Sequence, residues 1–286
     1  MNPLRKWLAG GPLITDGAWG TELQARGLKP GAAPDTWNLA HPDPVEDVAR
    51  AYVEAGSQVI LTNTFRANAI AMKGDLEQIN RAGVEISKRA AAGRALVFAS
   101  IGPTGKMLMA GDITAQQARA ALGAQAEALA SAGPDALLVE TMSDIAEARL
   151  AVAAAKSTGL PVIVSFAFDS GKNKDRTMMG ATPEAVAAAM VEAGADAVGA
   201  NCGVGVEYAA AICRRLHAAC DVPIWIKPNA GLPKMEGTAV RYGATAEFFA
   251  SHFAALRDAG ASFVGACCGS TPDFIRALVN ARCAAS

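Results

Sequence analysis

Two adjacent cysteines close an apolar run near the C-terminus, Phe263-Val-Gly-Ala-Cys-Cys-Gly-Ser-Thr-Pro272, and a third closes a similar run, Ala197-Val-Gly-Ala-Asn-Cys-Gly203. Neighbouring cysteines cannot bridge each other without backbone strain, so a disulfide between Cys267 and Cys268 is not their purpose. A free cysteine at a strand end is often only a small core residue, but three delivered to strand ends point to a metal. Zinc accepts thiolates in tetrahedral geometry, and a catalytic zinc keeps three protein ligands and one exchangeable position. Cys202, Cys267 and Cys268 can fill the three. Each thiolate donates charge, so such a metal is a poor generator of hydroxide, yet it still removes the proton from a thiol that enters the open position. A free thiol near pKa 8.5 is only slightly ionised at neutral pH. The chemistry this suits is attack of a substrate sulfur on an alkyl group.

Two carboxylates stand at comparable places, Asp16 after Leu13-Ile-Thr and Glu140 after Ala136-Leu-Leu-Val. They would complement a cation such as an amino-acid ammonium, although a strand-end acid can equally cap a loop or a helix. Lys227, at the end of Ile224-Trp-Ile, offers a competing chemistry as a Schiff-base nucleophile, but that reading leaves the cysteines unexplained.

Positioning these groups together requires a particular architecture. Eight short apolar runs recur along the chain: Leu13–Asp16, Gln58–Asn63, Leu96–Ser100, Ala136–Glu140, Val162–Phe166, Ala197–Asn201, Ile224–Lys227 and Phe263–Ala266. Continuous apolar character suits strands buried on both faces, as in a parallel sheet. Helical periodicity fills the intervals, over Val45–Glu54, Leu76–Ala91, Ala115–Ala132, Ile145–Ser157, Pro183–Ala193, Tyr208–Ala219 and Ala246–Ala259. Thr114-Ala-Gln-Gln117 reads as a capping box, while Thr182-Pro183 and Thr271-Pro272 pair a hydroxyl cap with proline at the first helical position. Eight strand–helix units predict an α/β fold, a single-domain (β/α)8 TIM barrel over residues 1–286, whose reactive groups collect at the C-terminal ends of the strands. Pro228–Gly243, polar and rich in glycine and proline, is expected to be a long loop over that face.

Composition narrows the functional classes. The chain has 286 residues, 51% hydrophobic and 19% charged, with a net charge of -1. That balance does not support a nucleic-acid partner or an anionic membrane surface. No apolar span approaches the roughly 20 residues needed to cross a bilayer, and no signal peptide is legible. Six cysteines without a secretory signal fit a reducing cytoplasm.

Taken in order, several short motifs resemble the homocysteine S-methyltransferase family: Asp16-Gly-Ala-Trp-Gly-Thr21, Trp37-Asn38 with His41-Pro42, Thr62-Asn-Thr-Phe65, Glu140-Thr141, Arg176-Thr-Met-Met-Gly180, Gly199-Ala-Asn-Cys-Gly203, Lys227-Pro-Asn-Ala-Gly231 and Gly265-Ala-Cys-Cys-Gly269. The ordered pair of Asn-Cys-Gly and Cys-Cys-Gly elements is the specific part. Ala266 departs from the family's usual Gly-Gly-Cys-Cys-Gly and leaves both thiols in place. The chain looks most like the homocysteine-binding module of cobalamin-dependent methionine synthases and like compact bacterial betaine-homocysteine methyltransferases. The resemblance implies a zinc-dependent barrel that methylates homocysteine to methionine. It implies Zn2+ on Cys202, Cys267 and Cys268, the homocysteine amino group on Asp16 and Glu140, and Asn229 close to the metal. No side chain is assigned as general base. The methyl group would come from a small onium compound such as betaine, or from a methylcorrinoid protein acting in trans. A noncatalytic homocysteine- and zinc-binding subunit of a corrinoid system is the alternative.

Overall fold

The computed structural model describes residues 2–284 apart from 237 and 238, with the backbone alone over 233–241. All eight apolar runs form strands of one sheet: Leu13–Ile14, Val59–Leu61, Leu96–Ile101, Ala136–Met142, Val162–Phe166, Ala197–Gly205, Ile224–Asn229 and Ala261–Val264. Every neighbouring pair in the sheet is parallel. The first strand pairs with the last, and a bridge between Thr15 and Val59 joins it to the second, closing a (β/α)8 barrel.

Alternation along the strands separates two cores. Leu13, Leu61, Phe98, Leu138, Ile163, Trp225 and Phe263 fill the interior together with Leu4. Leu4 belongs to a short 3-10 turn, Pro3–Trp7, which plugs the N-terminal end and packs Trp7 against Phe98 in a tilted pair, ring centroids 5.6 Å apart. The outward residues of the strands pack under the surrounding helices in a second apolar layer. Along the seventh strand the interior face reads Trp225, Lys227, Asn229, so the core turns from apolar to polar toward the C-terminal end.

The expected helix starts are present. Thr114 and Gln117 form a reciprocal capping box, and the Thr182 side chain accepts from the Ala185 N–H ahead of the helix Pro183–Glu192. Two expectations differ. The segment Ala246–Ala259 is two short helices, Ala246–Ser251 and Phe253–Asp258. The ring nitrogen Nδ1 of His252 donates to the Phe248 carbonyl at 2.9 Å, the group its own N–H would reach in an unbroken helix; that N–H turns to Phe249 instead. The loop expected over Pro228–Gly243 contains an antiparallel hairpin, Pro233–Glu236 with Ala239–Tyr242. Among the described residues no helix is long and apolar enough to cross a membrane.

Candidate metal centre

The three cysteines singled out above meet at the C-terminal end of the barrel. Cys202 lies on the sixth strand, paired with Pro228, and Cys267 and Cys268 follow the eighth, where the Cys267 N–H donates to the Pro228 carbonyl at 2.8 Å. Their sulfurs all lie within 4.8 Å of one another. Cys202 Sγ is 2.9 Å from Cys267 Sγ and 3.7 Å from Cys268 Sγ. Zinc–sulfur bonds of about 2.3 Å in a tetrahedron set sulfurs about 3.8 Å apart, so the cluster needs only a small adjustment to take the ion. The cysteines are free thiols, and this is the one group of metal-capable side chains of its kind among the described residues. Cys213 is buried under the Leu256 and Ala259 carbonyls, Cys220 reaches the Leu216 carbonyl, and Cys283 is exposed, all apart from the cluster.

The backbone is strained where it presents these groups. Cys202 has φ 55° and Thr141, next to Glu140, has φ 60°. Positive φ is costly for any side chain and rare for a β-branched one. At both places the strand register slips, between Cys202 and Gly205 and between Val139 and Met142. Asn201 explains how Thr141 is held. Its Oδ1 accepts the Thr141 N–H at 2.9 Å and the Ser165 hydroxyl at 2.7 Å, and its Nδ2 donates to Thr141 Oγ1 at 2.7 Å. Sequence reading placed Asn201 at a strand end without a role; its i, i+60 contacts become visible only in the closed barrel.

Electrostatics within the cluster divide the thiols. Hydrogen bonds from Cys202 and Cys267 pull the Cys268 thiol well below the ordinary cysteine range. Hydrogen bonds with Cys267 and then Cys268, followed by burial, push the Cys202 thiol up. Tyr242, at the end of the hairpin, packs on Gly269, where a Cβ would fall 2.1 Å from the ring. Gly269 also has φ 82°, so only glycine fits there. Asn229 contributes a different signal. Its Nδ2 donates weakly to the Gly203 carbonyl at 3.4 Å, while its Oδ1 is buried with no partner. A buried acceptor left open beside three thiols is what a metal or ligand position requires.

Beneath the thiols lies a layer of charged and polar side chains. Glu140 is 7% exposed; its Oε1 accepts from Ser100 Oγ at 2.5 Å and its Oε2 from Asn201 Nδ2 at 3.3 Å. Burial, then the neighbouring Cys267 charge, raises its pKa to about 7. Asp16 is fully buried and is engaged from several sides, by the Lys227 ammonium, by Trp19 Nε1 at 2.8 Å and by the Leu61 N–H at 2.8 Å. Burial favours the neutral amine of Lys227, but the Asp16 and Glu140 carboxylates outweigh it and hold the pKa above its ordinary value. A lysine kept charged in an ion pair is not a Schiff-base nucleophile, which disposes of that reading. The Trp19 indole edge is committed to Asp16. His41, His217 and His252 take no part in the cluster.

The sequence profile of the homocysteine S-methyltransferase family matches residues 13–282, and the chain belongs to that family. It is 30% identical over 309 aligned residues to the methionine synthase of Mycobacterium leprae (strain TN), covering 98% of this chain and 25% of that protein. To the methionine synthase of Mycobacterium tuberculosis (strain ATCC 25618 / H37Rv) it is 29% identical over 296, covering 94% of this chain and 24% of that one. The chain therefore spans about a quarter of the length of the curated relatives it matches. Among solved structures, the fold is shared with the homocysteine methyltransferase MmuM from Escherichia coli. The oxidized form gives a TM-score of 0.81 at 24% identity, covering 98% of this chain and 99% of that one. The metallated form gives 0.80 at 24% identity, covering 96% and 98%.

Proposed function

We propose that this chain is a homocysteine S-methyltransferase, one barrel domain over residues 1–286, with zinc on Cys202, Cys267 and Cys268. The observation that carries the reading is the convergence of three thiols from two separate strands to within 4.8 Å. Bound there, the ion supplies the Lewis acidity that ionises a substrate thiol at neutral pH. Asn229, whose buried Oδ1 has no partner, would be available to such an ion as a further donor. Glu140, the carboxylate with the most open surface in the polar layer, receives the homocysteine ammonium, and that positive charge favours its ionised form. Asp16 belongs to the same layer and helps set the field in which the ammonium sits. Ser100 and Asn201 fix the Glu140 carboxylate from both oxygens.

The homocysteine thiolate attacks the methyl carbon in line. The new S–CH3 bond forms as the bond from methyl to donor breaks, and the electron pair leaves with the donor. No base is needed once the thiol is ionised. The donor is a small onium compound such as betaine, dimethylsulfoniopropionate or S-methylmethionine, or a methylcorrinoid protein. Because the chain corresponds to a quarter of the methionine synthases it resembles, a second reading also has support: a homocysteine- and zinc-binding subunit that turns over only with a corrinoid partner. Free thiols at six positions suit the reducing cytoplasm. Assaying methionine formation from homocysteine against each donor separates these readings. Turnover with an onium donor supports the self-sufficient enzyme, and turnover only with an added methylcorrinoid protein supports the subunit. No methionine under any condition, with homocysteine and zinc present, overturns both.

A further inference from the structure

On the outside of the barrel, the helices Leu76–Ala91 and Ala115–Ser131 leave a groove of about 370 Å3 between them, reaching Ala67 and Asn68 of the loop after the second strand. Ala121, Ala124 and Ala128 share one face of the second helix, and their small size keeps the groove open. Its volume is in the range of small-molecule sites. Amides lie among the alanines. Asn68 is fully buried and Gln125 is 2% exposed, and both line the groove. Asn68 Oδ1 accepts the Ile70 N–H at 3.1 Å and the Ala71 N–H at 2.9 Å. Gln125 Nε2 donates to the Thr64 carbonyl at 2.7 Å and to Asn80 Oδ1 at 3.4 Å. These partners fix both amides, because turning either over would set donor against donor or acceptor against acceptor. One donor and one acceptor remain, Asn68 Nδ2 and Gln125 Oε1, each buried with no partner. Buried polar atoms are normally paired, and neither of these belongs to the thiol cluster.

We propose that this groove is a second binding site, for a neutral carboxamide carried on a flat apolar body. The ligand's carbonyl oxygen accepts from Asn68 Nδ2, its N–H donates to Gln125 Oε1, and its apolar body lies on the alanines. A carboxylate would meet Gln125 Oε1 acceptor to acceptor, and an ammonium would meet Asn68 Nδ2 donor to donor. A carboxamide satisfies both. The charged side chains along the groove, Glu77, Arg81 and Glu127, carry both signs, and Arg81 lies 4.0 Å from Glu77, so no field of one sign selects an ion. The site is independent of the metal and of the methyl-transfer reading.

The test titrates the full, nitrogen-15-labelled chain with benzamide, benzoate and acetophenone and follows the side-chain amide signals of Asn68 and Gln125 by NMR. Benzamide should shift both with a Kd of about 1 mM, the scale for a fragment of its size. Benzoate and acetophenone match its shape but lack the N–H that Gln125 Oε1 requires, and should bind at least about tenfold more weakly. Asn68→Asp keeps the acceptor for the Ile70 and Ala71 N–H groups and loses the donor, so benzamide should weaken by about tenfold there as well. Ala124→Leu fills the groove from an exposed position and should abolish the benzamide shifts. It keeps the test open should Asn68→Asp fail to fold. Equal binding of the three probes, or full benzamide affinity in either folded variant, would overturn the proposal. So would unmoved Asn68 and Gln125 signals at about fifty times the expected Kd. A benzamide-soaked crystal gives a separate reading: a direct Asn68–Gln125 hydrogen bond, or a single water bridging the two with no benzamide in the groove, would also refute it.

Discussion

The same substitution at two glycines should move stability in opposite directions. Gly199 lies on the sixth strand opposite Trp225 of the seventh. A Cβ there would stand 2.0 Å from the Trp225 carbonyl oxygen and 2.6 Å from its Cβ, far inside the 3.4 Å at which ordinary contact begins. The first obstacle is backbone, which no rotamer change removes, so the two strands must separate. Overpacking of a core costs about 1–3 kcal/mol, and a clash with a neighbouring strand's backbone belongs at the upper end. Gly123 lies inside the helix Ala115–Ser131, with nothing within 4 Å of a Cβ added there. Alanine there gains about 0.5–1 kcal/mol from helix propensity alone. With a urea dependence of about 3 kcal/mol per molar, Gly199→Ala should lower the unfolding midpoint by about 1 M and Gly123→Ala should raise it by about 0.2–0.3 M. Far-ultraviolet circular dichroism of the metal-free protein measures both. Because Cys202 and Pro228 pair across the same two strands, Gly199→Ala should also weaken metal retention, while Gly123→Ala should not. A wild-type midpoint for Gly199→Ala would refute the packing argument.

Other consequences concern single sites. Asp35 is 1% exposed, accepts the Arg66 N–H at 2.8 Å, and is raised by burial to a pKa of about 6. A raised carboxyl favours the folded state below the unfolded pKa and loses that advantage as pH rises through the folded value, so Asp35→Asn should stabilise the protein by about 2 kcal/mol at pH 7.5 and little at pH 3.5. Urea titrations at both pH values test this, and an equal effect at each would contradict it. Thr114→Ala removes the reciprocal cap with Gln117 and should cost about 1 kcal/mol in the same measurement.

The barrel was legible because each strand is a continuous apolar run and each interval carries helical periodicity. The thiols were legible for a related reason: once strands are placed, their C-terminal ends fall on one face, and Cys202, Cys267 and Cys268 must share it. Partnerships across the barrel were not. Lys227 and Asp16 are 211 residues apart in the chain, and nothing in the local pattern of either says that they meet. The acid pair Asp16 and Glu140 therefore looked equivalent in sequence, whereas the barrel gives one an internal partner and leaves the other partly open. The left-handed backbone at Cys202 and Thr141 was hidden because neither is glycine. The hairpin carrying Tyr242 was hidden because the prolines and glycines around it read as an irregular loop. The break at His252 came from a ring competing for a main-chain acceptor, which helical periodicity does not register.

The proposed function stands on a metal site formed by three thiols from the sixth strand and the end of the eighth, with one position open to a substrate sulfur. Replacing the metal with cobalt(II) under anaerobic conditions tests it most directly, because thiolate-to-cobalt charge-transfer absorption counts the sulfurs bound. The expected result is about one cobalt per chain with absorption for three thiolates, an increase of about a third when homocysteine adds a fourth, and loss of tight binding in Cys202→Ala. Stoichiometric cobalt without thiolate absorption, an unchanged spectrum on adding homocysteine, or full retention in Cys202→Ala would contradict it.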